Sequence, residues 1–524
     1  MARDDSVVSR MMWAATLVTG ATVVSRLMGF VRDAIIAGFY GQTATVDQYN
    51  AAYVIPDTLY LLLIGGAISS AFVPVIAGYL AQDRHDEAER VMNLALSLVW
   101  VGLIPILLLG EWLAPDIMRV LAVGFNGEPH AIADTTYLTR IMLIAVLFHA
   151  LNGVLVGMQY AKKSFWATAI GPLFYNLAII VIGYWFGRQW GIQAFAWGVL
   201  VGAFVNFLIQ VASVRRLGLR YRWEWNPHHP GLRRVGRLML PIMFGVGLGQ
   251  LNLIINQTFF ASLLPAGSIN ALRLASRIMM TPVSLASSLA IALLPNLAEL
   301  VSRGQREQFL RYLSGAMRVV IFISVPATVG LWLVGRPLVA VLFEHGRFTP
   351  HAVMVTAGAL SFYVLGVLAY GGMEVLVRGF YAYHDTRTPV WVGAVALGVG
   401  FIISLLVLHP LRQDGLALAY TLTGYVNLVL LGWMLRRKLG PLGGTRMART
   451  AARTLLAAAV MALGVAMARV LLNPWITSPA LIPKAVALAL MMATGSALFM
   501  LAARRFHVEE YTLIMSRVWR RRAG

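Results

Sequence analysis

Long apolar segments recur along the whole chain, and they restrict its possible folds more than any other feature. Fourteen segments approach or exceed the roughly 20 apolar residues that a helix needs to cross a bilayer. They lie near residues 11–40, 46–80, 92–113, 132–158, 165–187, 191–213, 236–263, 268–300, 311–333, 351–380, 389–409, 415–435, 450–471 and 480–503. Backbone polar groups must be bonded internally in lipid, so such segments form helices. The sequence therefore predicts an all-α polytopic membrane protein with 14 transmembrane helices.

The composition agrees with this class. Hydrophobic residues make up 59% of the 524 residues and charged residues only 12%, with a mean hydropathy of +0.72. There is no cysteine, which excludes disulfides, thiol catalysis and thiolate metal sites. Residues 1–10 are polar and lead straight into a full-length apolar segment, so we expect no cleavable signal peptide.

The net charge of +21 falls mostly in short loops and at the termini. The positive-inside rule explains this excess without a nucleic-acid partner, because basic loops alternate with loops such as 41–46 and 264–268 that have no positive charge. The rule predicts that both termini are cytoplasmic. The longest connection, about 214–235, is basic and aromatic, and it is either an interfacial segment or an ordinary cytoplasmic loop.

The two halves of the chain resemble each other. Residues 71–74 match residues 292–295, including a proline, and residues 154–156 match 375–377 at the same offset. Each repeat holds six segments, and this even number gives both halves the same orientation. The repeat therefore predicts two parallel six-helix bundles around a central cavity that alternately opens to each side.

The predicted domains follow from the repeat. Residues 1–230 form an N-terminal six-helix bundle, and residues 231–445 form a C-terminal six-helix bundle. Residues 446–524 add two extra transmembrane helices and a basic cytoplasmic tail. These two helices either extend a lipid-facing groove or buttress the bundle.

Several charged side chains lie within apolar segments. Arg26 and Asp33 are seven residues apart on one helical stripe, whereas Arg32 points elsewhere on a straight helix. Arg273 and Arg277 share a face of the eighth segment. A charge at bilayer depth is costly and persists where it lines a polar cavity or meets a partner. Since an arginine can bind two oxygens of a diphosphate at once, these residues predict a cationic cavity for an anionic substrate.

Other candidates have two readings each. Arg32, Asp33 and Asp47 either face the cavity or lie at helix ends, where they reach the interface. Asn252 and Asn256 provide hydrogen bonds either to a substrate or between helices. No set of catalytic residues is recognisable, so we expect a protein that is not an enzyme and that needs no metal or cofactor.

Several motifs resemble one known family. They are SRLMGFVRD at 25–33, AFVP at 71–74, LFEHGRFT at 342–349, RGFYA at 378–382 and DTRTP at 385–389. In this order they are similar to motifs of the MurJ (MviN) family of lipid II flippases, in the multidrug/oligosaccharidyl-lipid/polysaccharide exporter superfamily. Fourteen spans is also that family's number.

The resemblance implies a flippase in the bacterial cytoplasmic (inner) membrane. It would move lipid II, the undecaprenyl-diphosphate-linked peptidoglycan precursor, to the outer leaflet by alternating access, and so serve the cell wall and cell shape. The implied partners are lipid II, membrane lipids and enzymes of peptidoglycan synthesis. The family's essential arginines fall on Arg26, Arg32 and Arg277, and its acidic residue after the first span falls on Asp47.

The chain departs from the family pattern at two charged positions. Tyr60 replaces an arginine common in the second span, and Met280 replaces a glutamate common after the eighth-span arginine. Residues 390–408 also lack the Asp and Asn of a sodium site found in some members. The alternative functions are a flippase for another prenyl-linked glycan, such as an O-antigen or teichoic unit, and, with less support, a multidrug antiporter.

Overall fold

The structure is a computed structural model that describes residues 2–62 and 71–512, and within these ranges the chain is helical with no β-strand. In chain order the helices are α1 Ala2–Tyr40, α2 Ala44–Tyr60, α3 Val73–Leu80, α4 His85–Leu121, α5 Pro129–Ala161, α6 Trp166–Trp190, α7 Gln193–Arg216, α8 Pro230–Ile254, α9 Ser268–Ser302, α10 Arg306–Phe343, α11 Pro350–Tyr363, α12 Val367–Ala382, α13 Arg387–Leu439, α14 Gly444–Leu471, α15 Asn473–Ile476 and α16 Leu481–Arg505. A π-helix, Ile255–Phe260, continues α8.

Eleven helical segments of the described chain are long and apolar enough to cross a membrane. The protein is therefore an all-helical, multi-pass membrane protein. One of the eleven, α13, has 53 residues and contains the predicted segments 389–409 and 415–435. Arg412 breaks it with non-helical angles of φ 48° and ψ −132°, just after Pro410. The total of fourteen spans stays a prediction, and residues 63–70 of the second segment and 513–524 of the tail lie outside the described residues.

Contacts divide the chain into two compact units. Unit 1 comprises Met1–Ile254 and Pro265–Ile269, and unit 2 comprises Ile255–Leu264 and Asn270–Gly524. The division predicted from the repeat, with boundaries at 230 and 445, stays a prediction.

In unit 1, α6 and α7 pack at close range because two glycines of α7 face α6. A Cβ on Gly198 would lie 2.8 Å from the Cα of Ile179, and one on Gly202 would lie 2.7 Å from the carbonyl oxygen of Tyr175. Small residues four apart allow this approach between membrane helices. The contact fixes Tyr175 against the interior of the unit, where α5 packs on α2, α4 and α7.

In unit 2, the last two long helices pack on each other and on α10. Phe322 of α10 is buried with Met461 of α14 and with Met491 and Phe499 of α16. The guanidinium group of Arg318 adds ion pairs beyond α16, to Glu509 at 2.6 Å and to the buried Glu510 at 3.2 Å. These contacts favour the buttress reading of the C-terminal helices.

Candidate substrate-binding residues

Arg32, on the first helix, is buried. Its side chain is bonded to Asp33, with Nε and Nη2 lying 3.1 and 3.0 Å from Oδ1. Its guanidinium also lies 6.0 Å from the ring centroid of Tyr53 on α2, a cation–π contact. The sequence placed Arg32 and Asp33 on different faces of a straight helix, but the long side chain of Arg32 reaches back to Asp33. A buried positive charge is thus held in unit 1 by a carboxylate and an aromatic ring.

Arg26 differs from Arg32 in its surroundings, because it is exposed although it lies in the same helix. Gly29, between the two arginines, is buried, and α1 packs against α6. Ser25 is fixed by Asn176 of α6, whose Nδ2 donates to the Ser25 hydroxyl at 3.2 Å. The backbone beside Arg26 is therefore anchored, and the Arg26 side chain is exposed at the surface of unit 1.

A polar cavity of about 170 Å³ lies inside unit 1. Tyr53 and Tyr175 share a hydrogen bond of 2.9 Å between their hydroxyls at its wall. Tyr60, which stands where the family often has an arginine, packs edge-on against the ring of His149 at 4.6 Å between centroids. Asp57 also lines the cavity. Sequence reasoning missed His149, because a single histidine in an apolar segment gives no pattern.

Asp47, in the first turn of α2, is bonded to the distant loop at Gly267 within unit 1. Its Oδ2 accepts a hydrogen bond of 2.6 Å from the N–H of Gly267, and Gln42 Nε2 donates to the Gly267 carbonyl at 2.9 Å. Asp47 is only 3% exposed. Gly267 has φ +93°, and a Cβ there would lie 2.4 Å from Gln42 Cγ. Asp47 therefore has a positioning role here, and only glycine fits opposite it without strain.

In unit 2, Arg273 and Arg277 are both half-buried on α9 and lie four residues apart. Met280, one turn further along, is also half-buried and apolar. Two neighbouring arginines on one helix repel each other, and a charge within an apolar helix is costly unless it lines a polar cavity or meets a partner.

The two asparagines are placed differently. Asn252 is half-buried near the end of α8 in unit 1. Asn256 is buried in unit 2, where its Nδ2 donates to the Leu416 carbonyl at 2.9 Å and its Oδ1 accepts from the Tyr363 hydroxyl at 3.3 Å. These bonds use both ends of its amide, which supports the helix-packing reading for Asn256.

Arg378 and Asp385, in the two C-terminal motifs, each have side-chain partners. Arg378 is paired with Glu374 at 3.4 Å on the same helix. Asp385 accepts hydrogen bonds from Lys438 Nζ at 2.9 Å and from the backbone N–H and the hydroxyl of Thr388 at 3.1 and 2.9 Å. Burial alone raises the pKa of Asp385, but hydrogen bonds from Lys438 and Thr388 outweigh it, so this pKa lies below its ordinary value. Within the described residues no group of three or more histidine, aspartate or glutamate side chains is placed to hold a metal ion.

Comparison with known proteins decides the family. A family model described as lipid II flippase MurJ matches residues 36–485. The chain belongs to the MurJ family. The lipid II flippase MurJ of Burkholderia cenocepacia is 30% identical to this MurJ family member over 432 residues, which cover 81% of this chain and 84% of the relative.

Solved structures support the same fold. A structure of lipid II flippase MurJ in an inward closed conformation matches with a TM-score of 0.77 at 21% identity, covering 94% of this chain and 99% of the other. A multidrug resistance MATE family transporter of the MOP superfamily, in an inward-facing conformation, matches with a TM-score of 0.70 at 11% identity, covering 82% and 99%. The predicted family and the all-helical membrane class are confirmed, and the family is one of transporters.

Proposed function

We propose that this MurJ family member moves lipid II from the inner to the outer leaflet of the bacterial cytoplasmic membrane by alternating access. The observation that carries this proposal is the family match over residues 36–485. A relative from Burkholderia cenocepacia, which aligns over 81% of this chain and 84% of its own length, is named a lipid II flippase. In this proposal the protein transports its substrate without changing it chemically, and peptidoglycan synthesis enzymes supply and consume that substrate.

The physical task of such a protein is to carry a polar head group through hydrocarbon. Each unpartnered polar group would cost several kcal/mol there, so the free lipid crosses very slowly. A protein that offers water and hydrogen bonds along the way removes most of this cost. The sugar-peptide head would cross within the protein while the prenyl tail stays in lipid.

We assign binding of the diphosphate to the arginines of both units. Arg26 is exposed on α1, and Arg273 and Arg277 are half-buried on α9, so each is accessible in its own unit. Arg32 is held in place by Asp33, and we assign this pair to the same binding region on α1. The planar guanidinium group can bind two phosphate oxygens at once, which suits a diphosphate better than a cationic drug.

The remaining candidates are assigned supporting roles. Asp47 positions the loop at Gly267, and Asn256 joins the π-helix Ile255–Phe260 to α11 and α13 within unit 2. Asn252 is assigned to hydrogen bonding with the head group, since it is half-buried and polar. In the proposed topology the chain crosses the membrane fourteen times as two parallel six-helix bundles and two further helices, with both termini cytoplasmic.

The test is to express the chain in a bacterium depleted of its own lipid II flippase. The amount of lipid II that becomes accessible at the outer leaflet is measured, with membrane expression confirmed by immunoblot. We expect restoration by the wild type and by the control Arg233→Ala, Arg234→Ala, which changes an exposed basic pair. Absence of restoration despite normal expression would reject lipid II as the substrate and favour another prenyl-linked glycan.

A further inference from the structure

An apolar groove of about 1360 Å³ runs along unit 1 between α4, α5 and α7. Leu96, Leu155 and Phe207 line it. On its open side Ile104 and Leu208 are 37% and 47% exposed, so apolar surface faces outward there. An apolar groove of this volume in a membrane protein fits hydrocarbon chains.

The groove is somewhat longer than the hydrocarbon half of the bilayer that one leaflet provides. Its lining residues on α4 run from Met92 to Pro105. At 1.5 Å per residue this distance is about 20 Å, whereas one leaflet contributes about half of a hydrocarbon core of roughly 30 Å. An acyl chain can therefore lie in the groove along its whole length while its head group stays at one end.

Residues 217–229 form a non-helical segment, which we call the strap. Four of its residues line one end of the groove: Leu219, Arg220, Tyr221 and Trp223. Three backbone N–H groups of the strap donate to side chains of α4: Arg220 to Glu89 at 3.2 Å, Arg222 to Asn93 at 3.3 Å and Glu224 to Ser97 at 3.4 Å. Alternate residues of an extended chain are about 6.6 Å apart, and four residues of a helix rise 6 Å, so the two spacings match. The strap is thus fixed along α4, and the end of the groove is a built structure.

This end of the groove is cationic and aromatic. Arg215 and Arg220 line it with exposed side chains. Tyr221 and Trp223 line it too, and they are 46% and 60% exposed. Tyrosine and tryptophan favour the level of lipid head groups, and arginines near the membrane surface attract anionic lipids. Apolar walls and a basic end together complement a lipid that has acyl chains and a net negative head group.

We propose that this groove is a binding site for an anionic phospholipid, with an acyl chain between α4 and α7 and the phosphate at Arg215 and Arg220. Zwitterionic phospholipids fit the same walls but gain less from the two arginines, so the site selects by head-group charge. This inference is separate from the flippase proposal, because it concerns a lipid that stays bound and is not transported.

The test is native mass spectrometry of the purified full-length chain in detergent. An equimolar mixture of phosphatidylglycerol and phosphatidylethanolamine with the same acyl chains is titrated onto the protein. We expect preferential retention of phosphatidylglycerol. In Arg215→Gln, Arg220→Gln the preference should fall roughly thirtyfold, the equivalent of about 1 kcal/mol for each arginine.

Two further proteins make the result decisive. Arg233→Gln, Arg234→Gln removes two exposed charges that do not line the groove and should keep the preference. Val211→Trp fills the groove and should reduce retention of both phospholipids. The proposal is overturned if the Arg215, Arg220 variant keeps the wild-type preference, or if undecaprenyl phosphate added in equal amount displaces phosphatidylglycerol.

Discussion

The bond between Asp47 and Gly267 allows a quantitative prediction. Asp47→Ala removes the acceptor of a 2.6 Å hydrogen bond to the N–H of Gly267, and both residues are buried. Water therefore cannot readily replace the carboxylate. A hydrogen bond to a charged group contributes about 1.5–3 kcal/mol, so the Gly267 amide should exchange its hydrogen about 10- to 150-fold faster in the variant.

Hydrogen–deuterium exchange followed by mass spectrometry measures this effect on a peptide covering residues 265–269. Asp47→Asn keeps an oxygen acceptor but loses the charge, and since charged hydrogen bonds are about twice as strong as neutral ones, its increase should be about 3- to 12-fold. Thr45→Ala changes an exposed residue of the same helix and serves as the control. Equal exchange in wild type and Asp47→Ala would refute the positioning role of Asp47.

Three further predictions concern other parts of the account. Gly267→Ala should lower the melting temperature of the purified protein, because its Cβ would meet Gln42 and its φ of +93° is strained for alanine; an unchanged melting temperature would contradict this geometry. The lowered pKa of Asp385 means that its stabilisation is present above its ordinary value of 3.8 and is lost as the pH falls through the lower folded value, so the melting temperature should fall less between pH 6 and pH 3 in Lys438→Gln than in wild type; parallel curves would show that the pair has no such effect. Finally, since one charge moving through 100 mV gains about 2.3 kcal/mol, dissipating the membrane potential should slow lipid II exposure, and an unchanged rate would exclude the potential as the energy source.

The helical segments were predictable because hydrophobic length alone defines them. The sequence even separated segments 389–409 and 415–435, which the structure joins in one long helix broken at Arg412. The positions of the charged residues on the chain were also visible, since charges are rare in apolar segments. The family could be recognised from short motifs that keep their order.

Partners that are distant in sequence could not be predicted. Nothing near Asp47 indicates that its carboxylate bonds to Gly267, more than two hundred residues away. The helical-wheel argument also failed to pair Arg32 with Asp33, because it places Cβ atoms and ignores the reach of a guanidinium group. His149 was missed for a related reason, since its ring becomes notable only through its contact with Tyr60.

The most direct test of the central claim uses purified protein in liposomes that carry lipid II in one leaflet. The appearance of lipid II in the other leaflet is measured with an enzyme that modifies only accessible head groups. The account predicts transfer by the wild type and by Arg233→Ala, Arg234→Ala, and loss of transfer in a correctly folded Arg26→Ala, Arg277→Ala variant. Wild-type transfer rates in that variant would contradict the assignment of the diphosphate to these arginines, and no transfer by the wild type would contradict lipid II flipping itself.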